Sequence, residues 1–292
     1  MIRHPGSFLQ FKPLASGNIS RLIHGITTQI EGHTIHYEKV GSGERNVLLL
    51  PGALGMCDLA FRAIVFMKSS GSTRTDFAGQ LSSDGLNQEK FTLLAWDPPG
   101  YGYSRPPTRN LKDNYYRNDA RMVSKLATQV FGSKNLYSVL GWSDGGITAL
   151  ILAANEGIED VEKVVIWGSN AYVTEGDRSA TLQVRDTDNW NPRFRTEFEK
   201  IYGAGGLKKL WADYVDRYQL WDDICSEDLK RIKCPLLILY GDKDPMIAPE
   251  HPEFIAKNVA NCRLHRFSEG KHNIHIKYQK EFNRIVDKFL LE

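Results

Sequence analysis

The chain has 292 residues, of which 41% are hydrophobic and 25% are charged, and its formal net charge is +2. A chain of this length buries about 75% of its unfolded surface on folding, so it needs no disulfide or metal ion for stability. The balanced charge argues against a nucleic-acid binder, and four widely spaced cysteines without a C-x-x-C pair argue for a reducing compartment rather than a disulfide scaffold or zinc site.

Residues 1–25 are basic, contain serine and include no acidic residue, since the first one is Glu31. This composition is typical of an organelle transit segment, and a disordered start to the chain is an equally open interpretation. No continuous apolar h-region is present, which argues against a secretory signal. No apolar run in the sequence reaches the length of a membrane span.

Short apolar runs separated by longer mixed segments follow. The runs 27–30 and 34–37 alternate around Glu31-Gly32-His33 and predict a β-hairpin. Later runs are too continuous in Val, Ile and Leu for a sheet with one wet face, so they predict strands buried on both faces of a parallel sheet. These runs are 46–50, 91–96, 136–140, 163–167, 236–240 and 262–267, with helical patterns at 119–131 and 146–155. The alternation predicts a single α/β domain over 26–292, with a mostly parallel, doubly wound sheet.

One segment, about 172–230, breaks the alternation because it has a helical pattern and no strong strand. A helical segment inserted late in such a sheet is predicted to form a cap over the active site. Its aromatic residues are interpreted mainly as core of the cap rather than as ligand contacts. They are Trp190, Phe194, Phe198, Tyr202, Trp211, Tyr214, Tyr218 and Trp221.

The strongest motif is at residues 141–146, which read GWSDGG and contain the pattern G-x-S-x-G. A predicted strand precedes the motif and a predicted helix follows it. This is the setting of the nucleophile elbow, in which a tight turn exposes a serine Oγ at a helix N-terminus and flanking glycines let neighbouring backbone pass close by. Ser143 is therefore the candidate nucleophile, and the predicted fold is the α/β-hydrolase fold.

A catalytic acid and a histidine should follow the nucleophile in that order. After the run 236–240 the chain reads GDKDP, so Asp242 and Asp244 compete as the acid, and Pro245, which fixes the turn, favours Asp244. After the last predicted strand the chain reads EGKHN, which makes His272 the candidate base. His275 is its nearest rival, and the histidines within strand-like runs are interpreted as structural: His33, His36 and His265.

An oxyanion hole requires two backbone N–H groups, one from the residue after the nucleophile and one from an earlier loop. The first is expected to be that of Asp144. The second is expected in the loop 51–55, which reads PGALG, from Ala53 or, as second choice, Leu54. A simple glycine turn is the alternative interpretation of this loop.

Four stretches resemble the valacyclovir hydrolases, also called biphenyl hydrolase-like proteins. They are GWSDGGITAL at 141–150, AWDPPGYGYSRPP at 95–107, IWGSNAYVT at 166–174 and EGKHNIH at 269–275, and the match covers most of 27–292. The resemblance implies a hydrolase that prefers esters of α-amino acids, in a mitochondrial or cytoplasmic setting. It also implies Asp244 as the acid, since the family's acid lies in the matching KDP.

Asp144, the residue after the nucleophile, is the most informative one about the substrate. A carboxylate there opposes the anion that develops during attack, but it suits a substrate with an α-ammonium group near the scissile carbonyl. Stabilisation of its helix N-terminus is the alternative. The resemblance, in which this Asp is associated with amino-ester preference, favours substrate binding.

Two departures from the family are visible. Residues 56–70 are inserted beside the oxyanion loop, before a family-like stretch at 71–77, and represent a surface excursion, an altered pocket wall or a gene-model error. The predicted cap is a few residues shorter than the family's, which affects the expected leaving-group preference.

Other hypotheses remain open. A general carboxylesterase, a thioesterase or a carbon–carbon bond hydrolase uses the same triad, and a non-catalytic ligand receptor can share the fold. Haloalkane dehalogenases and epoxide hydrolases are disfavoured because they place Asp where Ser143 stands. No metal-ligand or nucleotide-binding motif is present, so no cofactor is expected. The expected partner is a small-molecule ester, and a monomer is favoured.

Overall fold

The computed structural model describes residues 25–55, 76–112 and 114–292. The predicted insertion at 56–70 and nearly all of the N-terminal segment lie outside these residues. Eight strands form one sheet in the order β1-β2-β4-β3-β5-β6-β7-β8. They are β1 (Ile26–Ile30), β2 (His33–Val40), β3 (Arg45–Leu50), β4 (Phe91–Trp96), β5 (Tyr137–Trp142), β6 (Val161–Trp167), β7 (Leu236–Gly241) and β8 (Cys262–Phe267).

The predicted hairpin forms the antiparallel edge of the sheet, because β1 pairs antiparallel with β2 and β2 pairs antiparallel with β4. All remaining neighbours are parallel. The mostly parallel α/β sheet is therefore confirmed. Burial on both faces holds for the central strands, but β8 is only partly buried because it forms the other edge of the sheet.

The helices in the described part of the chain are α1 (Tyr115–Phe131), α2 (Asp144–Ala154), α3 (Glu175–Gln183), α4 (Pro192–Tyr202), α5 (Ala204–Tyr218), α6 (Glu250–Asn258), α7 (Ile274–Lys277) and α8 (Gln279–Leu291). The predicted helix at 119–131 begins earlier, at Tyr115, because the Asn114 side chain accepts a hydrogen bond from the Arg117 amide and caps the helix. Helices α3, α4 and α5 lie between β6 and β7, in the segment predicted to form the cap.

Alternate residues of the central strands pack into two hydrophobic layers. On β3, Leu48 and Leu50 face the layer that contains α1, α2 and α6, and Val47 and Leu49 face the layer that contains α8. All of α2 is buried in the first layer. The carboxyl ends of the parallel strands lie at one edge of the sheet, where loops after β3, β5, β7 and β8 meet.

Candidate active site

Ser143 lies at the junction of β5 and α2, with a φ of 54° and a ψ of −122°. This region is strained for a residue with a side chain, and such strain concentrates at functional sites. The turn is held by hydrogen bonds from the Ser143 amide to the Trp167 carbonyl and from the Gly146 amide to the Ser143 carbonyl, both 2.9 Å. The sequence therefore presents the serine side chain at the start of a buried helix.

The glycines of the motif are required by close backbone contacts. A Cβ on Gly141 would lie 2.4 Å from the carbonyl oxygen of Gly145, and a Cβ on Gly145 would lie 2.0 Å from the carbonyl oxygen of Leu50. Both distances are too short for any side chain. The G-x-S-x-G pattern is therefore the only one that lets α2 begin so close to β3 and β5.

The structure brings Ser143, His272 and Asp244 together. The His272 Nε2 atom lies 3.2 Å from the Ser143 Oγ, and its Nδ1 atom lies 2.9 Å from the Asp244 Oδ2. The second carboxylate oxygen of Asp244 accepts hydrogen bonds from the amides of Met246 (2.9 Å) and Ile247 (3.3 Å). A serine, an imidazole and an oriented carboxylate in this chain of contacts can perform nucleophilic acyl transfer.

The rival residues lie elsewhere. Asp242 is at the surface, where it accepts a hydrogen bond from the Arg266 Nε at 2.7 Å. His275 is fully buried and its Nδ1 accepts a hydrogen bond from the Trp167 Nε1 at 2.8 Å. Burial lowers the pKa of His275 to about 3, so its imidazole is neutral. Among the histidines predicted to be structural, His36 is buried against Asp97 (3.0 Å), and His33 and His265 lie in β2 and β8.

The loop 51–55, predicted to supply an oxyanion donor and called the oxyanion loop below, follows β3 and lies against Ser143. The Gly52 carbonyl accepts a hydrogen bond from the Gly55 amide at 2.9 Å, and Leu54 has a φ of 62°. These features describe a tight turn with Ala53 and Leu54 at its centre. Both residues line the same cavity as Ser143. The amide of Asp144 is in the first turn of α2, where N–H groups have no partner within the helix.

The Asp144 side chain lies in a largely hydroxyl-lined recess of that cavity. Its Oδ1 accepts hydrogen bonds from the hydroxyls of Tyr214 (2.8 Å) and Tyr116 (3.1 Å). Its Oδ2 is buried and has no hydrogen-bond partner among the described residues. Burial raises the pKa of Asp144 to about 6, against the opposing effects of the two hydroxyls and the Arg109 charge. Tyr116, on α1, was not identified from the sequence, and Tyr214, on α5, was predicted only as one of the cap aromatics.

The cavity above these residues has a volume of about 620 Å³. Its far wall is aromatic and comes from the cap. The interpretation of the cap aromatics as mainly core is therefore incomplete. Six of the eight line the cavity, and five of those six, all but Phe194, also belong to a buried cluster or pack against one. The lining residues are Trp190, Phe194, Phe198, Trp211, Tyr214 and Tyr218.

Tyr202, at the end of α4, connects the cap to the oxyanion loop. Its hydroxyl accepts a hydrogen bond from the Gly102 amide at 2.7 Å and donates one to the Leu54 carbonyl at 3.3 Å. The Arg105 guanidinium lies 4.5 Å from the centre of the tyrosine ring. The position of the oxyanion loop thus depends on the cap.

Asp76 is a further residue at the site that sequence reasoning did not identify. Its Oδ2 accepts a hydrogen bond from the Gly52 amide at 3.1 Å, and the residue lines the cavity. Burial raises its pKa to about 8, and the charge of Asp97 acts in the same direction. The feature of the sequence that could have identified Asp76 is its position in the stretch 71–77, which resembles the family.

Across the residues that the structure describes, no group of three or more His, Cys, Asp or Glu side chains could hold a metal ion. None of the helices in these ranges is long and apolar enough to cross a membrane. The described cysteines, Cys225, Cys234 and Cys262, form no disulfide.

Sequence comparison identifies relatives along most of the chain. Residues 47–285 match a family model described as the alpha/beta hydrolase family. Serine hydrolase BPHL from Mus musculus is 42% identical over 266 residues, which cover 89% of this chain and 84% of the relative. The Homo sapiens protein of the same name is 40% identical over the same shares.

Structural comparison identifies the same fold in more distant proteins. An esterase from Exiguobacterium antarcticum superposes with a TM-score of 0.67 at 20% identity, over 92% of this chain and 100% of the esterase. A meta-cleavage product hydrolase from Pseudomonas fluorescens IP01 superposes with a TM-score of 0.69 at 18% identity, over 91% and 97%. At these identities the likeness extends to the fold alone. The family match and the sequence relatives together show that this chain belongs to the alpha/beta hydrolase family and is a serine hydrolase similar to the mammalian BPHL proteins.

Proposed function

We propose that this serine hydrolase cleaves carboxylic esters of α-amino acids through a Ser143–His272–Asp244 triad. The observation that carries the proposal is the Asp144 carboxylate, which is buried in the cavity next to the nucleophile. One of its oxygens has no partner among the described residues. An α-ammonium group is one carbon away from the scissile carbonyl, so a substrate held at Ser143 brings its cation towards this oxygen.

Electrostatics favour this substrate class. A buried carboxylate beside the nucleophile costs desolvation energy and opposes the oxyanion that forms on attack. A cation within about 4 Å in a partly buried site contributes roughly 4 kcal/mol of attraction. The hydroxyls of Tyr116 and Tyr214 donate to Oδ1, so a charged hydrogen-bond donor of the substrate is proposed to contact Oδ2.

Acylation follows from the proposed triad. His272 removes the proton of the Ser143 Oγ as this oxygen attacks the ester carbonyl, and Asp244 keeps the imidazole in the required tautomer. The amides of Asp144 and Ala53 are the proposed donors to the oxyanion, with Leu54 as second choice. The tetrahedral intermediate then collapses, the C–O bond to the alcohol breaks, and His272 returns the proton to the leaving oxygen.

Deacylation repeats these roles with water. His272 removes a proton from a water molecule that attacks the acyl-enzyme, and the same amides stabilise the second oxyanion. The Ser143 oxygen leaves with the proton from His272, which releases the amino acid. Neither half-reaction uses a cofactor. The aromatic wall formed by Trp190, Phe194 and Phe198 is the proposed contact surface for the rest of the ester.

The rival reactions differ in how they would use Asp144. The product of carbon–carbon ring cleavage is an anionic diketone acid, which this carboxylate would repel, so the proposal disfavours that chemistry. A general carboxylesterase or a thioesterase would gain nothing from a buried charge beside its nucleophile. A non-catalytic receptor would have no need of the hydrogen-bonded contacts between Ser143, His272 and Asp244.

The test is kcat/KM on a matched pair of esters, one of an α-amino acid and one that lacks only the amine. The proposal predicts a preference for the amino ester of tenfold or more, which is about 1.4 kcal/mol. Ser143→Ala should abolish both activities and labelling by a fluorophosphonate probe. Equal rates on the two esters would leave a general esterase, and no labelling of the wild-type serine would support the receptor.

A further inference from the structure

Asp76 contacts the oxyanion loop from the side of the cavity. Its Oδ2 atom accepts a hydrogen bond from the Gly52 amide at 3.1 Å. A Cβ built on Gly55 would lie 2.6 Å from this same oxygen, so the carboxyl group packs against both ends of the tight turn 52–55. This tight turn also lies against Ser143, because a Cβ built on Gly52 would lie 3.2 Å from the Ser143 Cβ.

The turn determines where the Ala53 amide points. In a trans peptide the C=O and N–H bonds point in opposite directions. The Gly52 carbonyl is directed at the Gly55 amide, at 2.9 Å, so the Ala53 N–H in the same peptide unit points the other way. Gly52 is therefore held at its nitrogen by Asp76 and at its oxygen by Gly55. Two such contacts leave the peptide that carries the Ala53 amide little freedom to rotate.

We propose that Asp76 is a positioning residue for the oxyanion hole. Its side chain holds the Gly52 backbone so that the Ala53 amide remains directed at the developing oxyanion, and it acts through that backbone rather than on the substrate. The proposal concerns the hydrolysis of any ester by this enzyme, so it goes beyond the preference for amino acid esters.

The charge of Asp76 is compatible with this role. Burial, with a smaller contribution from the charge of Asp97, raises the pKa of Asp76 to about 8 against the opposing effect of the Gly52 amide. The imidazole of His275, the neighbouring buried base, is neutral. A largely protonated carboxyl at neutral pH accepts the Gly52 hydrogen bond without adding a full negative charge beside the oxyanion. An asparagine offers the same acceptor without charge, whereas a leucine of similar size offers none.

The experiment compares Asp76→Asn with Asp76→Leu on an acetate ester without an amine, so its outcome does not depend on amino-ester preference. We expect Asp76→Leu to lower kcat about 10- to 100-fold, less than the roughly 10²- to 10³-fold loss of a whole oxyanion donor. KM should change less than about threefold, because the lost interaction exists mainly in the transition state. Affinity for a boronic acid that mimics the tetrahedral intermediate should fall in parallel with kcat. Asp76→Asn should keep kcat and the affinity for the boronic acid within about threefold of the wild-type values.

Asp287 supplies the matched control. It is a half-buried carboxylate that accepts a hydrogen bond from a loop amide, that of Asn87 at 3.4 Å, and it does not line the cavity. Asp287→Leu and Asp287→Asn should leave kcat unchanged. Thermal unfolding is measured for all variants, and Asp76→Ala replaces Asp76→Leu if the latter does not fold. A kcat for Asp76→Leu or Asp76→Ala equal to that of Asp287→Leu, or an Asp76→Asn variant as impaired as Asp76→Leu, would overturn the proposal.

Discussion

Asp244 and Asp144 both lie at the active site, and the protein satisfies their carboxylates differently. Asp244 uses both of its oxygens within the protein: one accepts two backbone amides, and the other contacts His272. Asp144 uses one oxygen for the hydroxyls of Tyr116 and Tyr214, and its other oxygen has no partner within the described ranges. A carboxylate is thus fully paired within the protein at Asp244, whereas at Asp144 the proposed function pairs it with the substrate cation.

The difference teaches that the surroundings of a carboxylate, rather than its distance from the nucleophile, indicate its role. Backbone amides and an imidazole occupy both carboxylate oxygens of Asp244, so neither oxygen needs a hydrogen bond from a substrate. Burial raises the pKa of Asp144 to about 6, so the site disfavours the charged carboxylate, and a cationic ligand would favour it. The comparison therefore predicts that Asp244 controls rate on all substrates and that Asp144 controls choice among them.

The largest effect is expected for Asp244→Asn. The amide would favour the wrong tautomer of His272, and kcat should fall by about 10⁴-fold, as in other Ser-His-Asp triads. The loss should be the same on an α-amino ester and on its amine-free analogue, as measured by steady-state kinetics. A loss below about 100-fold, or one confined to the amino ester, would break the comparison.

Asp144→Asn should act on selectivity. The amide keeps an oxygen for the tyrosine hydroxyls and removes the charge, so the ratio of kcat/KM between amino ester and amine-free ester should fall about 30-fold, or roughly 2 kcal/mol. Asp242→Asn is the matched control, since Asp242 is at the surface and pairs with Arg266. Equal losses on both esters in Asp144→Asn would show that the carboxylate does not recognise the ammonium group.

The amino-ester preference of the wild type should depend on pH. Below about pH 6 the Asp144 carboxyl becomes protonated, so at pH 5 the preference should be about tenfold smaller than at pH 7. It should also decline above about pH 8, where the substrate α-amino group loses its proton. The ratio of kcat/KM for the two esters, measured from pH 5 to 9, cancels any effect of pH on the catalytic steps that both esters share. A flat ratio would contradict the charge pairing.

The smallest effect is expected on stability. The pKa of Asp144 is raised from 3.8 to about 6, so its ionisation lowers the free energy of unfolding as pH rises through this interval. Asp144→Asn should therefore unfold with a free energy about 1 kcal/mol higher above pH 6, within the roughly 3 kcal/mol that such a shift permits. The gain should vanish below pH 4 in urea unfolding experiments. A variant that is less stable at pH 8 would show that the carboxylate stabilises the fold.

Local patterns predicted much of the fold and of the triad. The G-x-S-x-G turn, the alternation of apolar runs and the loops after the last two strands are all encoded by neighbouring residues. The choice of Asp244 over Asp242 and of His272 over His275 agrees with the contacts of His272 with Ser143 and with Asp244. The roles of these residues stay predictions until the variants are measured.

The surroundings of Asp144 could not be predicted in this way. Tyr116 and Tyr214 lie 28 and 70 residues from it in the sequence, on helices whose relative placement depends on packing of the whole domain. A tyrosine in an amphipathic helix carries no sign that its hydroxyl will meet a distant carboxylate. The aromatic cap residues posed the same difficulty, because a side chain such as Trp211 both packs in the cap and lines the cavity.

The shared hydroxyl of Tyr202 has a consequence for which substrates turn over. One oxygen contacts both the Gly102 amide and the Leu54 carbonyl, so α4 cannot move outward without releasing both. A bulky ester that displaces α4 would still enter the cavity. The oxyanion loop, which should bind the oxyanion of that ester, would then be less firmly held. We therefore expect the upper limit on substrate size to be set by reaction velocity rather than by fit, with oversized esters behaving as bound, slow-reacting competitors.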